Sequence, residues 1–200
     1  MQSEFSQIKA EVLRLAEAGN ACESEYEKAK SAETIDNLMA VIIENFYWCV
    51  RNKLISPELL EIIGDEVLWQ HGIYRAGHHE ITVSEGEKSI YLLESSTANV
   101  ESLGSSTANV KSWDSSTANV KSWDSSTANV ESFGSSTANV KSFGSSTANV
   151  KSFGSSTANV KSWDSSTANL ESWDSSTAKD LTRMILHVRK DRWTIQEHEL

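Results

Sequence analysis

Serine and threonine crowd the second half of this chain, and a hydroxyl becomes a nucleophile only when a base is held within hydrogen-bond reach. Between Ser95 and Asp174 there is no histidine at all. The hydroxyls recur at fixed positions, so they read as ladder and turn residues rather than as attacking groups. His71, His78, His79 and Glu80 form the one cluster of metal-ligating residue types. Adjacent side chains in extended chain point to opposite sides, and the segment reads as a linker. Cys22 and Cys49 are the only thiols. Both fall in helical patterns, and Cys49, beside Trp48 on an apolar helix, reads as an inert core thiol. No glycine-rich phosphate loop occurs. The expectation is no enzyme, no cofactor and no metal.

The elements that carry these residues are repeats. Eight consecutive decamers fill Ser95 to Asp174, each reading Ser-Ser-Thr-Ala-Asn-Val/Leu-Lys/Glu-Ser-aromatic/Leu-Asp/Gly, and a ninth stops after Ala178. Self-similarity at a fixed short period means that each unit packs against a copy of itself. Ten residues are too few for a helical pair, and the composition is too rich in Ser and Thr for a helix. The decamers read as a β-solenoid. In Ser115 to Asp124, Thr117, Asn119 and Lys121 alternate with Ala118, Val120 and Ser122. Lys121 belongs in solvent, so Ala118 and Val120 point inward and Ser122 lies at the edge of the interior. Asp124 with Ser125 and Ser126 supplies a turn.

Three questions stay open at this level. Strict alternation sends Trp123 outward, whereas a bend after Ser122 turns it inward. Ala and Val alone bury little area against the cost of ordering ten residues, which favours at least partial burial of the ring row Trp113, Trp123, Phe133, Phe143, Phe153, Trp163 and Trp173. Each Trp of that row precedes Asp and each Phe precedes Gly; either the Asp accepts from an indole N–H or two unit types were duplicated in blocks. A coil of ten residues makes a stack about 38 Å long, and one of twenty a stack about half that, from a coil spacing of about 4.8 Å.

The first 72 residues read as a small helical bundle. Phe5, Ile8, Val12 and Leu15 recur at helical spacing before Gly19. A charged segment, Ala21 to Lys30, follows. Ile35, Leu38, Met39, Ile42, Phe46, Cys49 and Val50 make one wide apolar face, with Ser31 or Thr34 as cap. Ser56, Pro57 and Glu58 open a further helix that Gly64 divides and Gly72 closes. Phe46, Tyr47 and Trp48 are adjacent and cannot all face one side. The bundle reads as a cap on the stack, with partner binding through Tyr47 and Trp48 as the other reading. Residues 73–94 are a transition and degenerate first coil, with Ile90 at the Val position and Leu93 at the aromatic one. Residues 95–178 are the solenoid. Residues 179–200 are a C-terminal β cap, with strands at Met184 to Val188 and Trp193 to Ile195 that leave no open edge. The fold class is α+β.

The Ala-Asn-Val/Leu-Lys/Glu-Ser half of each unit resembles the pentapeptide-repeat pattern, in which a small residue and a Leu or Phe two later point inward on a four-sided helix. The other half departs from that pattern. A helical region followed by short solenoid repeats, carried here by Glu33 to Tyr74 and the decamers, resembles uncharacterised proteins of gut bacteria and their phages. That likeness is one of layout and implies no activity.

Function is expected to lie in surfaces. The net charge is −10, which argues against binding through a phosphate backbone. Residues 1–94 carry 17 acidic and 8 basic side chains, so the acidity sits mainly there. Two scattered thiols suit a reducing compartment, no secretory leader opens the chain, and the stretch Met39 to Val50 is too short and polar to span a bilayer. A cytoplasmic location is expected. The leading expectation is a non-enzymatic scaffold or binding protein with a protein partner, in the form of a phage or bacterial inhibitor or decoy, and with homodimer formation through an edge or ring row. The candidate surface is Thr107, Asn109, Thr117, Asn119, Thr127, Asn129, the ring row, Tyr47 and Trp48. Ice binding through Thr-x-Asn rows is the first alternative. DNA mimicry is the second, opposed by Lys111, Lys121, Lys141, Lys151 and Lys161.

Overall fold

The computed structural model describes residues 2–180 and 185–189, which fall in two units, Met1–His71 and Gly72–Leu200. The first unit holds six helices among the described residues: α1 Gln2–Ala18, α2 Glu23–Ser31, α3 Ile35–Glu44, α4 Phe46–Arg51, α5 Pro57–Ile63 and α6 Asp65–Gln70. No helix of the described residues is long and apolar enough to cross a membrane.

Helix starts follow capping chemistry. Thr34 Oγ1 accepts from the Asn37 N–H at 3.2 Å, and Ser56 Oγ accepts from the Leu59 N–H at 3.2 Å with Pro57 next in line. Each pair satisfies a donor that the first turn leaves without an intrahelical acceptor. Leu38, Met39, Ile42, Phe46, Leu59, Leu60 and Leu68 are buried and form the centre of the unit. The apolar face from Ile35 to Val50 is not one helix. It breaks at Asn45, whose Nδ2 donates to the Val41 carbonyl at 3.0 Å and to Glu25 Oε2 at 2.7 Å. A short amide side chain competes with the backbone for the same carbonyl and ends the helix there. Gly64, at φ +83°, separates α5 from α6.

The second unit begins with β1 Ile73–Tyr74, β2 His78–Val83 and β3 Glu87–Leu92. Each decamer then contributes one strand: β4 Thr97–Ser102, β5 Thr107–Ser112, β6 Thr117–Ser122, β7 Thr127–Ser132, β8 Thr137–Ser142, β9 Thr147–Ser152, β10 Thr157–Ser162 and β11 Thr167–Ser172. β12 Thr177–Asp180 and β13 Ile185–Arg189 follow. Odd-numbered strands form one parallel sheet and even-numbered strands the other. The result is a β-solenoid of about five turns. Its coil is twenty residues long, because Thr117 pairs with Thr137 and Thr107 with Thr127. Each coil has two sides, one per decamer, where the pentapeptide pattern has four.

Between the sheets lies a thin core of Ala and Val: Ala108, Val110, Ala118 and Val120 are at most 1 % exposed, as are their equivalents up to Val160. Parallel sheets bury both faces when they are covered on both sides; here one face stays wet, and the strands keep strict alternation. Ile90 pairs with Val110 and Ile81 with Val100, so the coil pattern is already present before the decamers begin. β13 pairs with β11 and places Ile185 opposite Ala168. The segment Trp193 to Ile195 lies outside the described residues.

The turns explain the last position of each decamer. Asp114, Asp124, Asp164 and Asp174 have φ between +56° and +59°, and Gly104, Gly134, Gly144 and Gly154 between +64° and +69°. Glycine enters this left-handed region without penalty, and Asp is among the few other residues that visit it routinely. The carboxylates of Asp164 and Asp174 accept from the backbone N–H groups of Gly144 and Gly154, one coil earlier, at 3.3 and 3.2 Å.

Candidate interaction faces

On the decamer strands β4 to β10 Thr, Asn and Lys or Glu face out, while Ala, Val and Ser face in. The six candidate Thr and Asn residues therefore divide between opposite faces. Thr107, Asn109, Thr127 and Asn129 lie on the odd-numbered sheet, and Thr117 and Asn119 on the even-numbered one. Neighbours in a row are twenty residues apart, so Asn109 and Asn119 share no row.

The asparagines form hydrogen-bonded ladders. On the even face Asn119 Nδ2 donates to Asn99 Oδ1 at 2.9 Å, Asn139 to Asn119 at 2.9 Å, and Asn159 to Asn139 at 2.9 Å. On the odd face Asn129, Asn149 and Asn169 each donate to the preceding Asn at 2.8 Å. Carboxylates receive the first rung of each ladder. Asn99 donates to Glu80 at 2.7 Å, and Asn109 to Glu87 at 2.5 Å. The bond from His78 and the bond from Asn99 hold the Glu80 carboxyl below the usual range.

Charge separates the faces. The odd face runs Lys111, Glu131, Lys151, Glu171, with ion pairs of 3.5 Å between the first two and 3.7 Å between the last two. The even face runs Glu101, Lys121, Lys141, Lys161. Lys121 pairs with Glu101 at 2.9 Å, leaving Lys141 and Lys161 as the uncompensated members of that row among the described residues. Neither face carries a continuous row of carboxylates.

The rings continue the alternation outward and stack in two columns. Trp113, Phe133, Phe153 and Trp173 form one, at centroid spacings of 5.1, 4.9 and 6.1 Å. Trp123, Phe143 and Trp163 form the other, at 4.2 and 4.6 Å. Interplanar angles run from 3° to 17°. Exposure runs from 5 % at Trp113 to 37 % at Trp163. The rings thus lie outside the Ala and Val core and run from buried to partly exposed, stacked on one another. Their π faces are occupied by one another, so what solvent meets is ring edges. Base stacking needs a free π face, and the inner rings of these columns have none to offer.

Buried serines do the stapling. Ser126 Oγ accepts from the Trp123 N–H at 3.0 Å and donates to the Ser102 carbonyl at 3.0 Å; Ser146 makes the same pair of bonds to Phe143 and Ser122. Ser122, Ser132, Ser142 and Ser152 are also fully buried, and their hydroxyls have no hydrogen-bond partner among the described residues.

The other singled-out residues do not converge. His71 pairs with Asp36 at 3.1 Å in the helical unit. In the solenoid unit His78 pairs with Glu80 at 2.7 Å, and His79 bonds the Ala76 carbonyl at 2.7 Å and lies against Tyr74. Among the described residues no three His, Cys, Asp or Glu side chains gather as metal ligands would. Of the three adjacent aromatics, Phe46 is buried, Tyr47 is 54 % exposed and Trp48 is half-buried near Gly19. Cys22 is an exposed N-cap residue rather than part of a helix.

Comparison with protein-family models, with curated proteins and with solved structures finds no match.

The segregation of lysines and the carboxylate ends of the Asn ladders were not anticipated from sequence. The signal for the lysines is comparison at twenty residues rather than ten; the carboxylate ends lie at other spacings, 19 residues for Glu80 and 22 for Glu87. At ten, Asp114 would stack on Asp124 and Lys111 on Lys121. At twenty, Lys111 meets Glu131 and Asp124 meets Gly144.

Proposed function

We propose that the chain is a non-enzymatic binding protein whose solenoid presents its even-numbered face to an acidic protein surface. The observation that supports this most is the row Lys121, Lys141 and Lys161 lying beside unbroken Thr and Asn rows, in a chain of net charge −10. Hydrogen bonds already fix the Asn side chains of that face, so binding forfeits little side-chain freedom. Rows of like charge at coil spacing also favour association with the complementary pattern over other partners. An inhibitor or decoy of a bacterial or phage protein is the narrower form of this reading, in which the face occupies a partner's site and does no chemistry.

The test is affinity capture with three proteins of equal stability. Wild type and a variant altered on the odd face, Lys111→Glu with Lys151→Glu, retain the same partner. Lys121→Glu with Lys141→Glu and Lys161→Glu loses it. Identical capture by all three proteins overturns the assignment.

A second reading, ice binding, draws on the same register. Thr rows and Asn rows run straight along each face, with Thr117 opposite Thr137 and Asn119 opposite Asn139, at a repeat of about 4.8 Å. Ice crystals shaped by micromolar protein, with shaping lost in Thr137→Lys, support it. Ordinary growth in both eliminates it.

A further inference from the structure

The helical unit carries a half-open cleft of about 280 Å3. The floor is apolar and buried, built by Val12 and Ala16 of α1, Ala29 of α2, Ile42 of α3, Cys49 of α4 and Leu54. The rim is polar and accessible at Cys22, Glu25 and Asn45. Protein interiors pack to crystal-like density, with few voids larger than a water molecule. A half-open apolar cleft leaves its lining without packing partners on one side.

The rim decides the chemistry of the occupant. Neither lysine nor arginine lines the cavity, and Glu25 is its one charged residue. Glu25 is held in place by Asn45 Nδ2 at 2.7 Å and by Lys28 at 2.8 Å, and those two bonds keep its carboxyl below the usual range. A fatty carboxylate entering here would bring its charge to the Glu25 carboxylate, while the nearest cation, Lys28, lies outside the lining and is already engaged by Glu25 at 2.8 Å. An ammonium or neutral amine would find acceptors at the Glu25 carboxylate.

We infer that this cavity is a binding site for a small alkyl- or arylamine, its apolar body on the Val12, Ala16, Ala29 and Ile42 floor and its amino group at Glu25. The site is independent of the solenoid faces and of the role proposed for them.

The experiment titrates the full chain with octylamine and with octanoate, followed by backbone amide shifts and by the rate at which Cys22 reacts with a neutral thiol reagent. Octylamine gives saturable one-to-one shifts confined to residues lining the cavity and slows Cys22 labelling, and octanoate binds at least tenfold more weakly. Ala29→Phe fills the floor and abolishes binding; Ala16→Leu, a smaller filling, weakens it if the first variant does not fold. Glu25→Gln narrows the gap between amine and carboxylate. The inference is overturned by the absence of saturable shifts at the cavity in folded protein, by equal binding in the filled variants, or by octanoate binding as well as octylamine.

Discussion

Asn139 donates its side-chain N–H to Asn119 Oδ1 at 2.9 Å and accepts the same bond from Asn159. Each inner asparagine of a ladder is thus both donor and acceptor, and truncating one breaks two rungs. Asn139→Ala should lower solenoid stability by about 1–2 kcal/mol, at about 0.5–1.5 kcal/mol per net hydrogen bond. Asn169→Ala, at the far end of its ladder with one rung to lose, should cost about half as much. Denaturant titration of both variants checks the ratio, and equal losses would show that the rungs contribute nothing beyond the side chain's presence.

The two serine columns predict opposite signs for one substitution. Ser142 Oγ is buried without a partner among the described residues, whereas Ser146 Oγ accepts from the Phe143 N–H and donates to the Ser122 carbonyl. Ser142→Ala removes a desolvated hydroxyl and should be neutral or stabilising by up to about 1 kcal/mol. Ser146→Ala removes two hydrogen bonds of a buried hydroxyl, although the Phe143 N–H keeps its 2.9 Å bond to the Ser122 carbonyl, and should cost about 0.5–1.5 kcal/mol. Thermal unfolding of the pair reads this directly. A destabilised Ser142→Ala protein would contradict it.

The two thiols should differ widely in reactivity. The Ser24 hydroxyl and the backbone N–H of Glu25 draw the Cys22 thiol below its ordinary range, while burial pushes Cys49 up to about 12. The thiolate is the reactive form, so a disulfide reagent near pH 7.5 should titrate one thiol quickly and the second only on unfolding. Cys22→Ser should erase the fast phase and Cys49→Ser should leave it. Two fast thiols in native protein would refute the assignment.

Glu80 gives a pH dependence of known sign. Its folded-state carboxyl is lowered by His78 and then by Asn99. A lowered carboxyl adds stability that is present above the unfolded value, near 4.3, and is lost as pH falls through the folded value. The melting temperatures of wild type and Glu80→Gln should therefore differ near neutral pH and converge as the medium is acidified below about pH 4. A gap that widens on acidification would reverse the sign and exclude the mechanism.

Much of this architecture was legible from residue order. Thr117, Asn119 and Lys121 against Ala118, Val120 and Ser122 established which side of each strand is wet, because a lysine cannot enter so thin a core. Ser56 with Pro57, and Gly64, marked the start and end of α5 through local chemistry alone. Coil length was harder. A decamer's inward and outward residues are the same for ten- and twenty-residue coils, and only the contacts between units differ. The break at Asn45 was hidden because it depends on Glu25, a residue on another helix. The ring row resisted for a related reason: Trp123 is outward by alternation, and its stacking on Phe143 at 4.2 Å joins units twenty residues apart. The proposed lysine face remained out of reach of sequence, since Lys121, Lys141 and Lys161 separate from Lys111 and Lys151 only after the chain has been wound onto two sides.

That winding also governs how such a gene can change. Tandem copies invite loss and gain by recombination, and a single decamer is the smallest unit exchanged. Inserting one between Asp124 and Ser125 would carry every later strand to the opposite sheet, so that Lys141 and Lys161 would join the row of Lys111 while Glu131 and Lys151 would follow Lys121. Inserting two would lengthen the stack by one turn and leave each side's pattern intact. Heritable changes in length that preserve the lysine face should therefore come in pairs.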